Sequence, residues 1–199
     1  AVYTLDEITA ITAVAHEHGL KVHMDGARLA NSVAALGCTP AEMTVKAGID
    51  VLSFGASKNG AFAAEAVVMF TPGLADEFAY RRKRGGHLFS KMRFLAIQFE
   101  TYLKDGLWLK MAGHANDCMK TLAQGLSEIG DVELLFPTNA NMLFARLPNT
   151  MIEGLRSAGF AFYDWPAEER SIIRLITAFN TDKADTEAFV AEARRLSNQ

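Results

Sequence analysis

The chain has 199 residues, half of them hydrophobic and 22% charged, with a formal net charge of −3. That length is enough to bury a sizeable core, as one large domain or one domain with a smaller companion. The composition argues against a membrane-spanning chain, since no run approaches the ~18 uninterrupted apolar residues a bilayer crossing needs, and the charge gives no global attraction to nucleic acid.

The first element announces itself at Thr4-Leu5-Asp6-Glu7, a capping box in which hydroxyl and carboxylate each satisfy the other residue's free backbone N–H. Ile8, Ile11, Val14 and Ala15 then recur at helical spacing until Gly19, which suits the left-handed residue that ends a helix. The residues before it hold no initiator Met, no basic start followed by an apolar core, and no cleavage site, so the expectation is of a chain entered mid-fold. His16 and His18 are read as favourable charges near the helix C-terminus.

A short strand follows at Lys21 to Met24, then Gly26 allows a tight turn into an Ala-rich helix near 28–36 that Gly37 closes. Thr39-Pro40-Ala41-Glu42 is a second capping box with Pro at the first helical position. Ile49 to Phe54 is the next strand, Gly55 to Gly60 a loop of small and turn residues, and Ala64 to Phe70 another apolar strand. This alternation predicts part of an α/β domain with a mostly parallel sheet, in which ligands gather at the carboxyl ends of the strands.

From Pro72 to about Gly130 the reading is mainly helical, with an apolar stripe through Phe94, Leu95, Ile97, Gln98 and Tyr102 and a break at Asp105-Gly106. The remainder changes character. Strands near 132–136, 141–147, 160–163 and 171–178, a helix at about 149–158 and a terminal one from Thr181 predict a small α+β domain, with the boundary near residue 110. The expected domains are therefore 1–110 and 111–199.

Two strand ends carry the chemistry. His23-Met24-Asp25-Gly26-Ala27-Arg28 offers a carboxylate, and Ser57-Lys58-Asn59-Gly60 offers an amine. Alone, such an Asp is ordinarily a turn or cap residue and such a Lys a solvated one. Together they suit pyridoxal phosphate, which needs a lysine to hold its aldehyde as a Schiff base and an acid to keep its ring nitrogen protonated.

HMDGARL, then DVLSFGASKNG, then the RRKR-GG segment resemble the low-specificity L-threonine aldolase family, on the β-eliminating lyase branch of the fold-type I pyridoxal-phosphate enzymes, over its C-terminal portion. The resemblance implies pyridoxal 5'-phosphate as cofactor and cleavage of L-threonine or L-allo-threonine to glycine and acetaldehyde. It also implies that Lys58 carries the cofactor, that Asp25 faces the pyridine nitrogen, that Arg28 lies beside the cofactor near the substrate carboxylate, and that Ser57 reaches the phosphate. Another fold-type I enzyme, a β-eliminating lyase or an aminotransferase, would share Asp25 and Lys58, and a truncated chain without activity is a further alternative. The family's phosphate loop and its ring stacked on the cofactor have no counterpart in residues 1–20.

Arg174 sits inside the apolar run Ile172-Ile173-Arg174-Leu175-Ile176, where a guanidinium is costly to bury without an anion. A buried ion pair is one reading. The resemblance implies the other, an arginine clamping the substrate α-carboxylate, for which its planar fork is suited.

His23 and Asp25 share a strand face, but no third ligand follows at metal spacing, and no metal is expected. Cys38 and Cys118, far apart, fit a reducing compartment, so the chain is read as cytoplasmic. Residues 81–93 hold six Lys or Arg and no acid. They read as a solvated face, as a nucleic-acid patch, or, by the resemblance, as a contact to a partner subunit's site in a homodimer or homotetramer. The resemblance leaves a small amino acid as the partner in chemistry, with neither nucleic acid nor membrane.

Overall fold

The computed structural model describes residues 2–88, 90–165 and 171–198. The chain divides into two compact units, Tyr3–Lys110 and Met111–Gln199, the latter with Ala1–Val2.

In the first unit, helix α1 (Leu5–Glu17) starts on the capping box, with Thr4 N donating to Glu7 Oε2 at 2.7 Å and Glu7 N donating to Thr4 Oγ1 at 3.2 Å. Strand β1 (His23–Gly26) leads into α2 (Leu29–Leu36), and α3 (Pro40–Met43) repeats the capping box on Thr39 and Glu42. Strands β2 (Val51–Gly55) and β3 (Glu65–Met69) complete a three-stranded sheet in the order β1-β2-β3. β1 and β2 are parallel, as predicted, because α2 and α3 carry the chain back between them. β3 runs antiparallel to β2. The connection from Gly55 to Glu65 holds only a 3-10 turn, too short for the crossover a parallel neighbour requires.

Of the predicted α1 stripe only Ile8 is buried, while Ile11 and Val14 are exposed. Thr12 goes inward instead, and its hydroxyl donates to Ala47 O at 2.6 Å. His16, expected to complement the helix end, reaches the buried carboxylate of Asp50, its Nε2 lying 2.9 Å from Oδ2. Val22 N donates to the same oxygen at 2.9 Å, while Lys21 Nζ at 3.2 Å and the Thr71 hydroxyl donate to Oδ1. One carboxylate thus ties α1, the approach to β1 and the exit from β3.

Helices α4 (Phe78–Arg84) and α5 (Arg93–Leu103) follow, and the break at Asp105-Gly106 is a left-handed pair with φ of 52° and 68°. In the α5 stripe Tyr102 is buried, but Phe94 and Ile97 are exposed. Phe54, Phe99, Tyr102 and Trp108 form an aromatic cluster with ring centroids 5.5 to 6.4 Å apart. The chain passes to the second unit within α6 (Leu107–Ser127).

That unit is an antiparallel sheet in the order β4-β5-β7-β6, made by Glu133–Leu134, Met142–Arg146, Ile172–Ile176 and Tyr163–Asp164 respectively, with helices α7 (Asn149–Ser157) and α8 (Lys183–Ser197). Its core draws Met119 and Leu126 from α6, Leu155 from α7, Phe189 from α8, and Leu143 and Ile173 from the sheet. Ile173 and Leu175 point into that core, and Arg174 between them projects from the other face.

Candidate active site

The register of β1 and β2 sets His23 against Val51, Asp25 against Ser53 and Gly26 against Phe54. Because the strands are parallel, their carboxyl ends share one sheet edge, and the antiparallel β3 begins there too, with Glu65 opposite Gly55. A side chain at Gly26 would stand 2.5 Å from Leu52 Cδ1 and 2.7 Å from Ser53 O; one at Gly55 would stand 2.8 Å from Glu65 Oε2 and 3.0 Å from Ala27 Cα. Both glycines are therefore needed for the strand ends to lie this close.

Asp25 is exposed at that edge, and its Oδ1 accepts the Ala27 N–H at 3.0 Å. Its other oxygen has no hydrogen bond among the described residues. Arg28, half-buried, is the N-cap of α2, and its carbonyl accepts from Asn31 N and Ser32 N. His23 Nε2 lies 2.8 Å from Ser53 Oγ, and among the described residues no three His, Cys, Asp or Glu side chains gather as metal ligands.

Lys58 occupies the middle of the 3-10 turn Ser57–Asn59 and is exposed, whereas its neighbour Asn59 is buried. Asn59 Nδ2 donates to Tyr102 Oη at 2.7 Å and to Trp108 O at 2.9 Å. Burial pushes the Tyr102 phenol up, and the Asn59 hydrogen bond opposes that in part. The Ser57 hydroxyl accepts Ala64 N–H at 3.2 Å, and Ala56 N donates to Ala64 O at 3.0 Å, which closes the loop behind the lysine. From α5, Gln98 Oε1 accepts Phe62 N at 2.9 Å and Ala63 N at 3.1 Å.

In the second unit Arg174 lies at the centre of β7, with Phe144 of β5 and Tyr163 of β6 as its register partners. Among the described residues no Asp or Glu pairs with it, and its buried Nε has no hydrogen-bond partner. The expectation of a buried ion pair is thus not met there; the guanidinium carbon instead lies 5.1 Å from the Tyr163 ring centroid and 5.3 Å from that of Trp165. Arg81, Arg82, Lys83 and Arg84 are all exposed on α4, and Phe89 of the same basic segment lies outside the described residues.

With that geometry in hand, residues 1–148 match the family described as beta-eliminating lyases. The chain belongs to that family. It is 44% identical over 196 residues to the low-specificity L-threonine aldolase of Pseudomonas sp. (strain NCIMB 10558), covering 98% of this chain and 56% of that protein. Against the low-specificity L-threonine aldolase of Pseudomonas aeruginosa the identity is 46% over 181 residues, covering 91% and 52%. The chain thus spans about half the length of these relatives. Among solved structures, a threonine aldolase of Leishmania major superposes with a TM-score of 0.90 at 32% identity, covering 98% of this chain and 57% of that one. An α-aminoadipate aminotransferase of Thermus thermophilus, at 13% identity and a TM-score of 0.67 over 98% of this chain and 54% of that one, shares the fold alone. The architecture is that of the fold-type I pyridoxal-phosphate enzymes.

In this member of the family the two strand ends are legible in the sequence, but the residues that pin the lysine turn are not. Asn59 reads as an ordinary turn residue, and Gln98 falls within an apolar stripe. The available signal was Gln98 itself, an amide where the helical period called for an apolar side chain.

Proposed function

We propose that the protein is a pyridoxal-phosphate-dependent aldolase that cleaves the Cα–Cβ bond of L-threonine or L-allo-threonine to give glycine and acetaldehyde. The observation that carries this reading is the parallel register of β1 and β2, which brings Asp25 and the Lys58 turn to one sheet edge. The residues there fit the cofactor: an exposed amine on a pinned turn, and a carboxylate with one oxygen uncommitted among the described residues. Likeness to the two Pseudomonas aldolases, each above two-fifths identical, supports the choice of reaction.

In this reading Lys58 holds the cofactor's aldehyde, Asp25 keeps a proton on its ring nitrogen, Ser57 contacts its phosphate and Arg28 lies beside it near the substrate carboxylate. Bound there, pyridoxal phosphate supplies the electron sink for the breaking bond. Arg174 fixes the substrate's α-carboxylate through its planar fork. The working form is a homodimer or homotetramer in the cytoplasm, with the exposed basic helix α4 reaching toward the partner's site. Two unpaired cysteines, Cys38 and Cys118, agree with a reducing compartment, and among the described residues no helix is long and apolar enough to cross a membrane.

The test uses the full-length protein supplied with pyridoxal phosphate and L-threonine, with acetaldehyde followed by a coupled dehydrogenase. Acetaldehyde release that Lys58→Ala abolishes, together with loss of borohydride-trapped cofactor, is expected. Release of pyruvate and ammonia from L-serine without acetaldehyde from threonine would replace this reading with a β-elimination.

A further inference from the structure

We infer that Tyr163 and Trp165 are positioning residues that hold the Arg174 guanidinium, unneutralised, for a substrate carboxylate. The inference rests on the reading of Arg174 as the carboxylate-binding residue and adds how the fold keeps that residue ready.

Two other arginines of this unit provide the contrast. Arg146 is paired with Glu133 at 2.5 Å. Arg156 stands over the Phe162 ring at 5.0 Å but also donates to Asp164 at 2.8 Å. Arg174 has rings and, among the described residues, no acid. Register sets Phe144 on one side of it and Tyr163 on the other, and Trp165, the residue just past the end of β6, also brings its ring to the guanidinium.

These rings do not serve burial. Tyr163 is 68% exposed and Trp165 47% exposed. Trp165 is itself braced, since its backbone N–H donates to Ile172 O at 2.8 Å and its ring stands 5.7 Å from Phe144, which in turn stands 5.7 Å from Phe136. Distances of 5.1 and 5.3 Å to the ring centroids lie inside the range of cation–π attraction. A ring attracts the cation through its face and leaves its charge in place, whereas an acidic partner would occupy the fork's donors and compete with an incoming carboxylate. The aromatic bracket thus restricts the side chain's rotamers while leaving its N–H groups for the ligand.

The experiment is a set of double-variant cycles on the full-length holoenzyme, reading kcat and KM for L-threonine and the calorimetric Kd for glycine. Tyr163→Leu and Trp165→Leu should each raise KM and Kd by about two- to fivefold, the exposed range for one cation–π contact, with kcat held within about twofold. Tyr163→Phe and Trp165→Phe, which keep a ring, should return both constants to the wild-type values. In an Arg174→Gln background the Leu substitutions should add nothing. Equal losses with and without Arg174, or a fall in melting temperature and kcat with KM unmoved, would overturn the positioning role while leaving the carboxylate reading in place. An Arg174→Gln protein with wild-type KM and Kd would refute the carboxylate reading and the inference with it. If Trp165→Leu does not accumulate as folded protein, Tyr163→Leu carries the test, because its ring is mostly solvent-exposed and its loss opens no cavity.

Discussion

Replacing Asp50 by asparagine tests how the far ends of the strands hold the site in register. Asp50 is 3% exposed, and its two oxygens each accept from two donors: Val22 N–H and His16 on one, Lys21 and the Thr71 hydroxyl on the other. An amide of the same shape keeps one acceptor and turns an NH2 toward the other pair, so one buried donor set is left facing a donor in either orientation. Each such mismatch costs about 1–3 kcal/mol, and breaking a buried charged network costs about 3–5 kcal/mol. The His16 and Lys21 side chains are 40% and 55% exposed, so water replaces part of what they lose. The expected destabilisation at pH 7 is therefore about 3 kcal/mol, or roughly 12–24 °C in melting temperature for a unit of this size.

The pH dependence follows from the same contacts. Burial raises the Asp50 carboxyl pKa, but hydrogen bonds from Thr71, Val22 N–H, His16 and Lys21 outweigh it and hold the group well below the ordinary carboxylate range. A depressed folded-state pKa stabilises above the unfolded value, about 3.9, and that contribution is lost as pH falls through the lower, folded one. Urea unfolding of wild-type and Asp50→Asn proteins, followed by far-ultraviolet circular dichroism at pH 7, 5 and 3, should show a gap that persists to pH 5 and narrows only below about pH 4. A gap under about 1 kcal/mol at pH 7, or one already closing between pH 7 and 5, would refute the network's role.

Three further outcomes are expected. Asn59→Ala should cost about 1–3 kcal/mol in urea unfolding, because it removes the buried amide that donates to the Tyr102 hydroxyl and the Trp108 carbonyl; an unchanged midpoint would mean that the turn is held elsewhere. Asp25→Asn should leave the circular dichroism and melting temperature unchanged yet lower kcat about ten- to a hundredfold, the worth of one charge-assisted contact; full turnover would remove Asp25 from the site. Gly26→Ala should lower stability by about 1–3 kcal/mol and reduce cofactor affinity, since its Cβ would fall 2.7 Å from the Ser53 carbonyl, and an unperturbed melt would show that the strands can separate freely.

What could be read from sequence was what depends on neighbours along the chain. The two capping boxes, the left-handed break at Asp105-Gly106 and the strand ends bearing Asp25 and Lys58 each follow from a few adjacent residues. Period alone does not say which face of a helix meets a partner: Ile11 and Val14 of the α1 stripe are exposed, while Thr12 takes the buried position through its bond to Ala47. Strand direction depends on the space available to the connection, and the short turn between Gly55 and Glu65 sets β3 antiparallel to β2. His16 on Asp50, Asn59 on Trp108, and Tyr163 and Trp165 on Arg174 join residues distant in sequence, and no local pattern marks them.

The contrast between Lys58 and its two neighbours bears on conformational entropy. Ser57 and Asn59 are tied to Ala64, Tyr102 and Trp108, so the backbone carrying the lysine has surrendered its freedom during folding. What remains is the four-carbon stem, whose ordering costs up to about 2 kcal/mol. Any reaction that captures the amine therefore restricts rotors and leaves the chain's shape alone, and the same hook can be taken up and released many times without the turn having to refold.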